Sequence, residues 1–167
     1  LHLSIYISPF LDSLDVVIRG NRPVAMSHFG IAREIAAKCN RKLKNISFKT
    51  TQAKSDFTIN VKLKNENGCH RYITGIMNNI KMRPSPSWIV DSLNSAGMRP
   101  LNILVDISNY VLLEMGHPTH IFDLKYFPNH SVSVRNANTG EKINILDGQV
   151  CELNKDHLLI TNGKDPV

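Results

Sequence analysis

Apolar positions along the chain alternate between two periods, and each change of period marks an element. Between Ile103 and Met115 the period is helical: Ile103, Ile107, Val111 and Met115 recur every four residues with Leu104 beside them, which predicts one apolar face. Gly116 is placed to cap this helix and Pro118 to forbid its continuation. Asn109 falls about 160–200° around the helix from Ile107, off the apolar stripe. A short connector then carries His120 into Phe122-Asp123. An amide on a helix and an imidazole just past its end can converge on one small site. The same spacing fits a solvated Asn109 and a packed loop histidine.

Upstream, Ile5 and Ile7, then Val16, Val17 and Ile18, predict two short strands around Pro9 and Asp12-Ser13, with a turn at Gly20-Asn21-Arg22-Pro23. Ser27 can cap a helix whose apolar side carries Ile31, Ile35, Cys39, Ala32 and Ala36, with Arg33, Glu34 and Lys38 on the polar side. Arg41, Lys42 and Lys44 close it, where cations complement the helix dipole. Phe57, Ile59, Val61 and Leu63 alternate with polar residues as a half-buried strand does; Asn65 to Gly68 turns, and a second strand is expected from Tyr72 to Met82. Ser85 and Pro86 suit the start of a helix with Ile89, Leu93 and Ala96 on one face, ended by Gly97. The single Trp88 is expected in the core. From Ser131 the pattern is all strand: Ser131 to Arg135, Ile143 to Leu146, Val150 to Leu153 and Leu158 to Thr161, with turns at Thr139-Gly140 and Asp147-Gly148, the latter a two-residue hairpin signal. The fold class is therefore α+β: a short helical N-terminal piece followed by a mixed α/β region with antiparallel hairpins near the C-terminus.

The 167 residues suit one domain, or one domain and a piece of another. A polar stretch, 46–56, reads as a linker between 1–45 and 57–167. A 42% hydrophobic and 20% charged composition supports a real core, and no apolar run reaches the roughly 18–20 residues that cross a bilayer. The first ten residues lack a basic region and a cleavage site, so no signal peptide is expected. The chain opens without Met and closes on Asp165-Pro166-Val167, as a fragment would. Cys39, Cys69 and Cys151 have no zinc-ligand spacing and are expected as reduced thiols in a cytosolic protein. The net charge of +6 permits phosphate contact and equally serves solubility. Two glycosylation-like triplets, at Asn45 and Asn129, are read as chance. His117 and His120 flank Pro118, which prevents a helical metal pair, so no metal is expected. Neither a nucleophile elbow nor a phosphate loop is present. Asp106 and Asp123 are read as backbone caps and Glu114 as a solvated helix residue.

Nine positions in one register, Asn109-Tyr110-Val111, Glu114, Gly116, Pro118, His120 and Phe122-Asp123, resemble a helix and turn of the bacterial phenylalanyl-tRNA synthetase beta-subunit family. So do Asn21-Arg22-Pro23 with Ser27 to Glu34, Cys69 to Tyr72, Pro84 to Trp88, Ala96 to Pro100, Gly140-Glu141 and Leu146-Asp147-Gly148. The family's Gln and Ala are His117 and Ile121 here. The resemblance implies that 1–45 ends an N-terminal domain and that 57–167 is most of an editing domain, truncated at its C-terminus. It implies hydrolysis of mischarged Tyr-tRNA(Phe), with the synthetic site on an alpha chain. On the matching positions, His120 would hold or deprotonate water, Asn109 would donate to the ester region, and Ser108 would add a hydroxyl contact. The family's remaining pocket residues fall after Val167, so the fragment alone is expected to be inactive. No cofactor is expected in this stretch; ATP and Mg2+ are implied for the whole enzyme. The implied partners are the alpha subunit, in a tetramer of two alpha and two beta chains, and tRNA(Phe), in the cytoplasm, with neither membrane nor DNA. The alternatives are a non-catalytic tRNA-binding or scaffold module and a free-standing relative acting on another ligand.

Overall fold

The computed structural model describes residues 4–7, 14–44, 46–48, 57–145 and 148–167, with side chains from Val16 onward. Contacts divide the chain into two compact units, 1–50 with 81–121 and 51–80 with 122–167. This grouping cuts across the sequence-ordered division at 46–56, a stretch that lies mostly outside the described residues.

The first unit begins with an antiparallel pair, β1 (Ser4–Ile7) and β2 (Leu14–Val17), Ser4 opposite Val17. The turn expected at Pro9 and Asp12-Ser13 lies outside the described residues. Helix α1 (His28–Lys38) starts where expected: Ser27 Oγ accepts from the Gly30 amide at 2.9 Å. Gly30 runs against the backbone of the preceding 3-10 turn, where a Cβ would come within 2.0 Å of the Val24 carbonyl oxygen. The apolar side of α1 is only partly covered, however, and Ile35 is half exposed.

Helix α2 (Ser87–Ser95) buries Ile89 and Leu93, the i and i+4 pair that periodicity selects. Two expectations at its start need correction. Pro86 is the residue at the cap and no side chain closes the helix end, because the Ser85 hydroxyl donates to Asp106 Oδ2 instead. Trp88 is not core: it is 55% exposed and meets Tyr110 edge-on with ring centroids 5.1 Å apart. It projects from the first turn of α2, one residue before Ile89 turns inward.

Helix α3 (Ile103–Met115) packs against both α1 and α2. Its inward edge is rotated from the predicted stripe: Ile103 and Asp106 are buried, whereas Ile107 is 43% exposed. The cause is polar. Asp106 Oδ1 accepts from the Leu101 amide at 2.8 Å and Oδ2 from Ser85, so the carboxylate can face inward with its lone pairs engaged. The helix ends at Gly116, φ +73, whose amide donates to the Leu112 carbonyl at 2.8 Å. This is the left-handed cap that glycine adopts without a Cβ penalty.

The second unit is built on a three-stranded sheet in the order β3 (Asn60–Leu63), β4 (Ser131–Asn136), β7 (Leu158–Thr161). β3 and β4 run parallel, Asn60 opposite Ser131; β4 and β7 run antiparallel, Ser133 opposite Thr161. The central β4 is buried at Val132, Ser133 and Val134 in succession, as a strand covered on both faces must be. Along β3, Ile59, Val61 and Leu63 are half buried between exposed neighbours, as the alternation predicts, but Phe57 at the head of the expected strand is exposed and the strand begins only at Asn60. Beside the sheet, β5 (Lys142–Asn144) and β6 (Val150–Glu152) form the expected hairpin. Its end is closed by the Ile145 amide on the Gln149 carbonyl at 2.9 Å; the turn expected at Asp147-Gly148 lies partly outside the described residues. Ala137, Leu153 and Leu159 form a buried cluster with Ile143 packed on it.

The strand expected from Tyr72 to Met82 does not form. Burial there keeps the period of two, Tyr72, Thr74 and Ile76 half buried between exposed Arg71, Ile73, Gly75 and Met77, but no ladder joins it to another described segment. Alternation reports a face, and a strand also needs a partner backbone.

Polar bonds fix the loops of this unit. Asn65 Nδ2 donates to Asn136 Oδ1 at 2.5 Å, and Asn136 Nδ2 donates to the Lys155 carbonyl at 2.6 Å. Arg135 forms a two-pronged pair with Glu141 at 2.6 and 2.9 Å, and the Asn138 amide adds a third bond to that carboxylate at 2.8 Å.

Candidate functional site

The candidate residues lie on the second turn of α3 and on the loop that follows its end. Helix α3 is started by Asn102, whose Oδ1 accepts from the amides of Leu104 and Val105 at 3.1 and 3.2 Å. Asp106 then fixes the first turn from inside. Ser108 and Asn109 follow on that anchored helix, both half buried. Beyond the Gly116 cap, the chain from His117 to His120 is exposed.

Loop and helix meet through hydroxyl contacts. Ser108 Oγ donates to the Thr119 carbonyl oxygen at 2.8 Å and lies 2.8 Å from Thr119 Oγ1. The segment carrying His120 is thereby tied to the turn carrying Asn109, each of these two being one residue from the tie. The Ser108 oxygen keeps one lone pair for another donor. Tyr110, next along the helix, has its phenol pKa raised by burial and then by the Glu114 carboxylate, so it remains a neutral hydroxyl at physiological pH. Asp123 caps the following 3-10 turn through the Lys125 amide at 3.0 Å, the backbone role expected of it, and the Lys125 side chain holds its carboxyl below the ordinary range. Asp106 also engages a backbone amide but is buried as well.

A separate cavity of about 540 Å³ lies in the same compact unit, lined by residues that include Arg83, Ser85, Val90, Leu101, Asn102 and Asp106; Ser108, Asn109 and His120 are not among its walls. Among the described residues, no three His, Cys, Asp or Glu side chains gather where they could hold a metal ion, and no helix is long and apolar enough to cross a membrane. Cys39, Cys69 and Cys151 are free thiols.

Sequence reasoning missed Thr119 and the Ser85–Asp106 bond. Neither carries a periodic signal. The only available hint for Thr119 was a hydroxyl residue directly after a proline in a loop too short to stray far from the helix.

The profile of the B3/4 domain matches residues 68–167. Over about nine-tenths of its length the chain is similar to phenylalanine–tRNA ligase beta subunits. It is 37% identical to that of Carboxydothermus hydrogenoformans over 154 residues, covering 92% of this chain and 19% of the relative. It is 38% identical to that of Thermotoga maritima over 152 residues, covering 91% and 19%, and 40% identical to that of Anaeromyxobacter dehalogenans over 152 residues, covering 89% and 19%. The chain thus spans about a fifth of the length of the curated relatives it matches. With more than half of its residues under that profile, the chain belongs to the B3/4 domain family.

Proposed function

We propose that this chain is part of a phenylalanine–tRNA ligase beta chain and carries one side of an editing site that hydrolyses Tyr-tRNA(Phe). In this reading 57–167 is the editing portion, 1–45 belongs to the preceding domain, and the synthetic reaction, with its ATP and Mg2+, resides on a partner alpha chain. The observation that carries it is the tie between Ser108 and Thr119, which joins the Asn109 turn to the His120 loop. The similarity to phenylalanine–tRNA ligase beta subunits supports placing that pair in such an enzyme.

Ester hydrolysis needs a water held against the carbonyl carbon, a proton acceptor and a donor for the developing oxyanion. His120 supplies an imidazole that orients water or takes its proton. The Asn109 amide is the donor to the oxyanion, and the spare lone pair of Ser108 adds a contact. The need for a second site follows from chemistry. Tyrosine differs from phenylalanine by one hydroxyl, and a mainly apolar pocket rejects an added hydroxyl by only about 10²-fold. A site that hydrogen-bonds this hydroxyl can instead select for it by roughly 10⁴-fold or more.

His120→Ala in the assembled full-length enzyme tests the proposal. Charging with phenylalanine is expected to continue while Tyr-tRNA(Phe) accumulates; wild-type levels of Tyr-tRNA(Phe) would refute it. A second reading, a non-catalytic tRNA-binding or scaffold module, is favoured by the net charge of +6. It predicts salt-sensitive tRNA binding with no clearance of Tyr-tRNA(Phe).

A further inference from the structure

We infer that Ser108 and Thr119 form a latch that sets the position of His120 relative to Asn109, which makes Thr119 a positioning residue. The inference rests on the hydrolytic reading above.

The sense of the two bonds is determined. A carbonyl oxygen only accepts, so the single hydroxyl hydrogen of Ser108 goes to the Thr119 carbonyl. The second contact, oxygen to oxygen at 2.8 Å, then takes its hydrogen from Thr119. Both hydroxyl hydrogens are therefore assigned, and each residue holds the other.

The loop is short. Gly116 lies eight residues beyond Ser108, about 12 Å along a helix axis at 1.5 Å per residue. Three residues from Gly116 to Thr119 span at most about 10–11 Å. Added to the reach of the serine side chain and of the hydrogen bond itself, that span brings Thr119 back to the Ser108 turn without full extension. Pro118 fixes one of its few dihedrals. A short loop pinned at Thr119 hands a defined starting point to the next residue, His120. On the helix side the residue next to the pin is Asn109.

The latch residues lie near solvent, where bonds of this kind add little to folding stability. A misplaced catalytic group, by contrast, loses large factors in rate. The signature of the latch is therefore a fall in turnover without a matching loss of fold.

The test is Tyr-tRNA(Phe) deacylation by the full-length enzyme assembled with its alpha chain. Thr119→Val is expected to lower kcat by roughly tenfold, with KM within about twofold and the melting midpoint unmoved. Thr119→Ser, which keeps the hydroxyl, is expected to restore the rate. Ser108→Ala combined with Thr119→Val should be no slower than Ser108→Ala alone, which already removes both bonds, whereas Thr119→Val removes the hydroxyl contact and leaves the bond to the main-chain carbonyl. Wild-type turnover by Thr119→Val, no rescue by Thr119→Ser, or losses that multiply in the double variant would overturn the assignment. So would a Thr119→Val protein that melts early, because the pair would then be a folding contact. His120→Ala, run alongside, separates the two ideas. If it clears Tyr-tRNA(Phe) at the wild-type rate, the hydrolytic reading fails and the latch with it. If it is inactive while Thr119→Val matches wild type, only the latch fails.

Discussion

The two compact units bury different things. The sheet unit buries successive side chains of β4 together with the Ala137, Leu153 and Leu159 cluster. The helical unit buries few large apolar groups, chiefly Ile89, Leu93 and Ile103, and adds a carboxylate, Asp106, to them. It leaves Val24, Met26, Ile35, Trp88, Leu101 and Ile107 substantially exposed. A ladder brings backbone partners with it, and the polar groups buried there are the uncharged hydroxyls of Ser133 and Thr161. The chain leading into a helix also has backbone groups to pair, and here a buried carboxylate answers the Leu101 amide just before the cap of α3. The candidate site sits on the helix fixed in this polar way, so the positions of Ser108 and Asn109 depend on few contacts.

The hardest test of that contrast is Leu93, which has no exposed surface at all. Leu93→Ala is expected to destabilise the protein by about 2–5 kcal/mol, the range for emptying a packed leucine site. Because so little else is buried between α2 and α3, the amides of those two helices should lose more hydrogen-exchange protection than those of β4 and β7. Equal loss in both units would mean that the helical core is not the thin one.

The sequence showed the elements better than their faces. Ser27, Gly116 and the alternation at Ile59, Val61 and Leu63 were legible because caps and strand periods are local properties of the backbone. The α3 stripe was misplaced by one position in the turn. Periodicity ranks Ile107 above Asp106 on hydropathy and does not register that Ser85 and the Leu101 amide are waiting for a carboxylate. Tyr72 to Met82 failed for the opposite reason: the period was right and the partner strand was not there among the described segments. At the candidate site, Asn109, His120 and Ser108 came from the resemblance to a known family, whereas the Thr119 partnership depends on a loop folding back eleven residues.

A smaller effect is expected at two glycines that share a backbone shape but not a setting. Gly116 and Gly140 have φ of +73 and +79. An added Cβ at Gly116 would stand 3.1 Å from the Ser27 Cβ, whereas at Gly140 nothing lies within 4 Å. Each change to Ala should cost about 1–2 kcal/mol for left-handed backbone. Denaturant midpoints should place Gly116→Ala lower, because it also crowds the start of α1. If the two variants are equally stable, the α1–α3 junction is looser than the helical unit's packing implies.

The gentlest probe is pH, and it belongs to the sheet unit. The Arg135 guanidinium, aided by the Asn138 amide, holds the Glu141 carboxyl at about 2, against an ordinary value of 4.5. Between those two values the unfolded chain binds the proton and the folded chain does not, so stability must rise with pH across that window. The contribution is complete above pH 4.5 and disappears as pH falls through 2. Denaturation midpoints taken from neutral pH down to 2 should therefore decline less steeply in Glu141→Gln than in the wild type, with the difference confined below pH 4.5. The glutamine also loses the charge of a two-pronged pair while keeping one acceptor for Asn138. If wild type and variant decline in parallel, the loop at 138–141 is held by its backbone bonds and not by the ion pair, and the sheet unit would need no electrostatic support where the helical unit needs Asp106.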